Sequence, residues 1–132
     1  MPRASRLGAG VRWLAAIAAG VVVFEGLDVI GSTSAVTGPL PLAASLPLIS
    51  PFVAGAAAAW VAAPGIVWPL LAAAVSVWAR IGVDRLIGVL EGAHPPVEAG
   101  MVLMLAFGVP WMVQAVVGGA AALLATRALR RG

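Results

Sequence analysis

Five acidic and eight basic side chains, with one histidine, are all the ionisable chemistry in this sequence. Glu25 and Asp28 stand three residues apart, which puts two carboxylates on one face of a helix. Arg80 and Asp84 stand four apart, and Gly88 and Glu91 continue that face at steps of four and three. A carboxylate in apolar surroundings can take up and release a proton. A planar guanidinium can hold a carboxylate through paired N–H donors. Such a set suits either a protonatable site on the path of a solute or ion, or a charge pair that fixes which helix packs on which. Both readings stay open from the sequence. Glu25 is the first candidate for chemistry because it lies deepest, followed by Asp28 and Arg80. Arg85, Glu91, His94 and Gln114 are secondary candidates.

The elements that must position these residues follow from composition. Of the 132 residues, 62% are hydrophobic and 10% charged, with a mean hydropathy of +1.07. Soluble domains run at roughly 45–50% apolar and 25% charged. A water-soluble fold of this size needs a polar exterior that this sequence lacks, and disordered chains are poor in apolar residues. The composition therefore predicts an all-α polytopic membrane protein with the lipid bilayer as its first partner. A spanning helix takes about 20 mostly apolar residues, and four such stretches occur, at about 13–31, 40–63, 66–90 and 101–125. They form a single transmembrane domain. The turn-rich STSAVTGP separates the first two spans, Pro64-Gly65 the second and third, and EGAHPPVEAG the last two.

Charge placement gives an orientation. Arg3, Arg6 and Arg12 precede the first span, and Arg127, Arg130 and Arg131 follow the last. The positive-inside rule then puts both ends in the cytoplasm, which requires an even number of crossings. Trp13, Trp60 and Trp68 fall near the inner interface as belt residues. A competing reading takes the start as a signal peptide: arginines, the apolar stretch 13–24 and the small residues at 32–35 resemble its three regions. Against it, Glu25 and Asp28 would lie between the apolar region and the cleavage site. Cleavage would leave three spans.

Depth brings the charges together. At 1.5 Å per residue, Glu25 and Asp28 lie about 18 and 22 Å above Trp13. Counted from Ile66, Arg80 lies about 21 Å up and Asp84 about 27 Å up. Ionisable groups at membrane depth cost on the order of 3 kcal/mol each when they face lipid. Turning both faces inward lets Arg80 meet Glu25 or Asp28, with Asp84 holding Arg80 from its own helix. Glu25, Asp28 and Asp84 face Arg80 and Arg85, which leaves one carboxylate in surplus.

Pro41, Pro47 and Pro51 crowd the second span, whose outer half is expected either to be partly unwound, exposing carbonyls near the acid–arginine cluster, or to bend with its freed carbonyls bonded to Ser45 or Ser50. Pro110 perturbs the fourth span beside Trp111 and Gln114, and Gln114 reads as an interhelical hydrogen-bonding group. His94, in His94-Pro95-Pro96, reads as part of a rigid outer turn or as a solvated proton acceptor. Small residues at 55–59, 72–74 and 118–122 favour close helix packing, within the chain or between copies.

Several chemistries are excluded. With no cysteine and one histidine, no thiolate metal site, iron–sulfur cluster or histidine-built metal site is expected, and no cofactor is called for. No phosphate loop, HExxH, GxSxG or dinucleotide fingerprint occurs. Ser32, Ser34, Ser45, Ser50 and Ser76 have no histidine partner within a span. No catalytic residue is assigned, and the chain is not expected to be an enzyme. The high isoelectric point, about 11.5, does not signal nucleic acid, because the arginines cluster at the chain ends as topology places them. An all-arginine basic set with abundant Ala, Gly and Pro reads as the codon bias of a GC-rich genome.

The segment Pro51-Phe52, Gly55 and Trp60, followed by fifteen residues from Gly65 to Arg80, resembles a family of small four-helix actinobacterial membrane proteins of unknown function. The similarity covers about 30 of the 132 residues. The basic, histidine-containing turn that follows the first helix in that family is replaced here by STSAVTG. The resemblance implies a four-helix architecture and supplies no activity. The expected location is a bacterial cytoplasmic membrane. The functional expectation is a non-enzymatic accessory or assembly subunit, in a homo-oligomer or with a membrane-protein partner. The alternative is a small oligomeric proton-coupled transporter or channel using Glu25, Asp28 and Arg80, and the third reading is a holin-like pore.

Overall fold

A computed structural model of the protein describes residues 3–37, 40–92, 101–102 and 104–131. Those residues form four helices and no strand: α1 (Arg3–Thr37), α2 (Leu40–Ala62), α3 (Val67–Leu90) and α4 (Val109–Arg131), the last preceded by a π-helical turn at Met104–Gly108. Among the described residues, two helical segments are long and apolar enough to cross a membrane, Gly8–Ser32 and Met104–Arg130, and Leu48–Ala62 is a shorter apolar stretch.

Three elements differ from the sequence expectation in ways that backbone chemistry explains. α1 runs through Thr37 rather than breaking at Ser32, because every residue from Arg3 to Thr37 can donate a backbone N–H and the next that cannot is Pro39. α2 is helical throughout, with no unwound outer half. Proline's φ near −65° is already helical, and Pro41 falls in the first turn, where no intrahelical donor is needed. Pro110 acts through the π-helical turn just before it. A residue that cannot donate to the carbonyl at 106 suits a locally widened helix.

The helices run up, down, up, down. Arg12 on α1 reaches Val61 at the end of α2, and Trp13 reaches Trp68 at the start of α3, so those ends lie together. Thr126 and Arg130 of α4 share a cavity wall with Trp60 and Val61, at the same end. α2 is central and packs along α1, α3 and α4. Between α2 and α3, Gly65 takes φ +112°, a left-handed value that favours glycine.

Each helix buries a narrow stripe of small residues. On α3 the stripe is Pro69, Ala72, Ala73, Ser76, Val77 and Arg80, the 3–4 spacing of one helical face. On α2 it is Leu46, Ser50, Ala54, Ala58 and Ala59. Phe24 is the largest fully buried side chain. The large aliphatic residues face outward: Leu48 is 70% exposed and Leu86 59%, while Ser50 and Ser76 are fully buried. Polarity is thus reversed relative to a water-soluble bundle, in which Leu and Val fill the interior.

Candidate functional site: a four-helix clasp on Arg80

Arg80 ends the buried stripe of α3, and its position there decides its environment. Small residues precede it on that face, so α1 and α2 approach closely and bring their own polar groups to its level. Gly20 makes the approach possible on the α1 side, since a methyl group there would meet Ser76 Cβ at 2.6 Å. Ser76 satisfies its own hydroxyl by donating to Ala73 O at 2.7 Å, which leaves the cluster above it to Arg80.

The guanidinium meets three carboxylates. Arg80 Nε donates to Glu25 Oε1 at 3.1 Å and lies 3.0 Å from Asp84 Oδ2, so two acids share one N–H. Nη2 donates to Asp28 Oδ2. Asp28 accepts a second hydrogen bond, from Ser50 Oγ on α2, at 3.3 Å. Two adjacent aromatic rings also cover the cation. Its Cζ lies 4.3 Å from the Phe24 centroid and 5.3 Å from that of Trp111, and the two rings meet edge to face at 5.3 Å. Cation–π contacts of this kind contribute about 0.5–2 kcal/mol. All four helices therefore meet at one charge: α1 through Phe24, Glu25 and Asp28, α2 through Ser50, α3 through Arg80 and Asp84, and α4 through Trp111.

Burial within the cluster is uneven. The Arg80 side chain is 11% exposed, whereas those of Glu25, Asp28 and Asp84 are 33%, 26% and 42% exposed. The cation is the enclosed partner and the acids form its outer ring. Among the described residues no buried side-chain nitrogen or oxygen lacks a hydrogen-bond partner. No group of three acidic or histidine side chains among the described residues is arranged to hold a metal ion.

The structure thus brings together Glu25, Asp28, Arg80 and Asp84. It leaves the secondary candidates outside. Arg85, one residue past Asp84, makes none of the three ion pairs. Glu91 is exposed in the turn after α3, where its backbone N–H closes the helix on Ile87 O at 2.9 Å. Gln114 is half-buried on α4. His94 lies outside the described residues. Sequence reasoning missed three members: Ser50, Phe24 and Trp111. Ser50 was available from its place on the stripe Leu46, Ser50, Ala54 and Ala58, since a serine on a buried face needs a partner. Its hydroxyl donates to Asp28 on α1. The small residues expected to pack helices do so within the chain: Gly55 lies against the Ala115 carbonyl and Gly118 against that of Phe52.

The chain matches no family model, no curated protein and no solved structure.

Proposed function

We propose that this chain is a multi-pass protein of a bacterial cytoplasmic membrane, crossing it four times with both ends on the cytoplasmic side, and that it works as a non-enzymatic accessory or assembly subunit. The membrane reading is supported by the reversed polarity of the bundle. Leu48, Val22, Leu86 and Leu124 face outward at 59–70% exposure while serine and arginine are enclosed, an arrangement stable where the surroundings are hydrocarbon. The even number of crossings is supported by Arg12 and Arg130 lying at one end of the bundle. Because the chain has no cysteine, single substitutions report sidedness cleanly. Ala9→Cys, Ile66→Cys and Ala128→Cys are expected to react with a membrane-impermeant maleimide only once the cytoplasmic face is opened, and Glu91→Cys in intact cells. Labelling of Ile66→Cys and Glu91→Cys from the same side would overturn the topology.

The subunit reading rests on one observation: Arg80 is held through Nε and Nη2 by three carboxylates and covered by two rings, in a cluster to which every helix contributes. A charge on a conduction path has to exchange partners, whereas one clasped by three acids and two rings holds a packing arrangement. The two cavities described in the bundle lie at the opposite end and touch no member of the cluster. A chain this small, with a rigid centre and a broad apolar exterior, is suited to being held by neighbours in the bilayer.

Proton-coupled transport is the second reading, favoured by three carboxylates around one guanidinium with two of them on a single N–H. Reconstituted vesicles separate the two. The subunit reading expects no pH-driven flux from wild-type protein and none from Glu25→Gln. Flux that requires Glu25, lost at least tenfold in Glu25→Gln with the fold intact, would replace the subunit reading with the transport one.

A further inference from the structure

At the end of the bundle away from Arg80, two cavities of about 580 and 470 Å³ adjoin each other and share Arg12, Ala63 and Pro64 as common walls. The larger is otherwise lined by small residues of α1, Gly8 to Gly10, and by Trp13 and Trp68, which meet edge to face at 6.1 Å. The smaller is bounded by Trp60, Thr126 and Arg130. Each cavity is therefore apolar on most sides with a guanidinium at its edge, and the second has two. The walls are also fixed. Trp13 Nε1 donates to Trp68 O at 3.0 Å, and Arg12 Nε donates to Val61 O at 3.0 Å, which anchors the arginine by one of its five N–H donors. Among the described residues no acidic side chain lines either cavity.

We infer that this pair of cavities is a binding site for one anionic phospholipid, its phosphate held between Arg12 and Arg130 and its glycerol and upper acyl chain lying against Gly10, Trp13 and Trp68. A forked guanidinium matches phosphate oxygens geometrically. Basic pockets between helices at the cytoplasmic boundary take anionic head groups, and tryptophans at that level have an apolar body with a polar edge. Each of the two spaces is in the range of small-molecule sites, roughly 300–1,000 Å³. The apolar walls favour an amphiphile over a free anion, which would leave most of the cavity surface unmatched. The inference rests on the membrane reading above, since it places this end at the cytoplasmic interface.

Binding is tested with purified full-length protein in a neutral detergent, by thermal stability and native mass spectrometry. The probes are phosphatidylglycerol, phosphatidylcholine and glycerol 3-phosphate. Phosphatidylglycerol is expected to be retained as one copy and to raise the melting temperature, with phosphatidylcholine bound about tenfold more weakly. Arg130→Gln should lower phosphatidylglycerol affinity about tenfold. Gly10→Phe keeps both charges and adds a ring where a side chain meets open space, so it should displace the lipid by filling the larger cavity. Arg85→Gln, at the other end, should change nothing. Equal binding of both lipids, unchanged affinity in Arg130→Gln and Gly10→Phe, or an equal response to glycerol 3-phosphate would overturn the assignment. Extraction of the native chain from membranes by alkaline carbonate would instead refute the membrane reading, so the two failures are distinguishable.

Discussion

Arg80→Ala is expected to abolish most recovery of folded protein from solubilised membranes, and what remains should unfold at a much lower temperature. Removing the cation leaves Glu25, Asp28 and Asp84 gathered around a void, with Phe24 and Trp111 no longer facing a charge. Breaking a buried ion pair from one side costs about 3–5 kcal/mol, because the surviving charge is stranded. Here three charges survive, and their partial exposure keeps the loss toward that range rather than beyond it. Arg80→Lys should recover only part of it, since an ammonium cannot serve Nε and Nη2 geometry at once. The informative variant neutralises the cation and its two less exposed acids together: Glu25→Gln, Asp28→Asn and Arg80→Met in one chain should regain most of the lost stability, because a buried pair replaced by matched neutral groups is close to neutral and Asp84, 42% exposed, can turn its charge to the surroundings. Glu25→Gln with Arg80→Met alone should rescue less, because Asp28 keeps a charge whose strongest partner has gone. Thermal unfolding monitored by the tryptophans in detergent checks the series. A triple variant no better than Arg80→Ala would mean that the cluster does not hold the helices together.

The meeting of Glu25, Asp28 and Arg80 was legible because charges in an apolar chain are few and rise per residue is fixed, so counting residues from paired helix ends gives each charge its level in the bundle. The same arithmetic said nothing about Phe24 and Trp111, which look like every other apolar residue around them. Hydrophobic patterning fails in this chain because both faces of each helix are apolar. What distinguishes the faces is side-chain size, as in Ala72, Ala73 and Ser76 inside against Leu71 and Val67 outside. A reading by size, with alanine, glycine and serine at 3–4 spacing marking the interior, would have placed Ser50 on the buried face and therefore within reach of another helix. The prolines of α2 misled for a related reason. In isolation each one interrupts the hydrogen-bond ladder, but Pro51 is enclosed by neighbouring helices, and packing holds the helical path where the local ladder is thinned.

Packing by small residues carries its own large effect, at the crossing of α2 and α4. A methyl group at Gly55 would overlap the Ala115 carbonyl, and one at Gly118 would overlap the Phe52 carbonyl. Backbone atoms cannot rotate away as side chains do, so Gly55→Ala or Gly118→Ala must push the two helices apart, at about 1–3 kcal/mol each. The penalty has to exceed the roughly 0.8–1.0 kcal/mol that alanine gains over glycine within a helix. Gly82→Ala supplies the control, because nothing lies within 4 Å of a methyl group there, and it should be neutral or slightly stabilising. The two tight sites lie one helical turn apart along one crossing, so their losses should not add. Once Gly55→Ala has separated the helices, the second methyl enters space already opened, and the double variant should cost less than the two single changes together. That sub-additive result would locate the closest approach of the bundle. Fully additive losses would mean that the two glycines report on separate contacts and that α2 and α4 do not touch there. Displacement at this crossing also moves Trp111 on α4 relative to Ser50 on α2, so Gly55→Ala should loosen the Arg80 clasp, which its emission spectrum would register as a shift to longer wavelength.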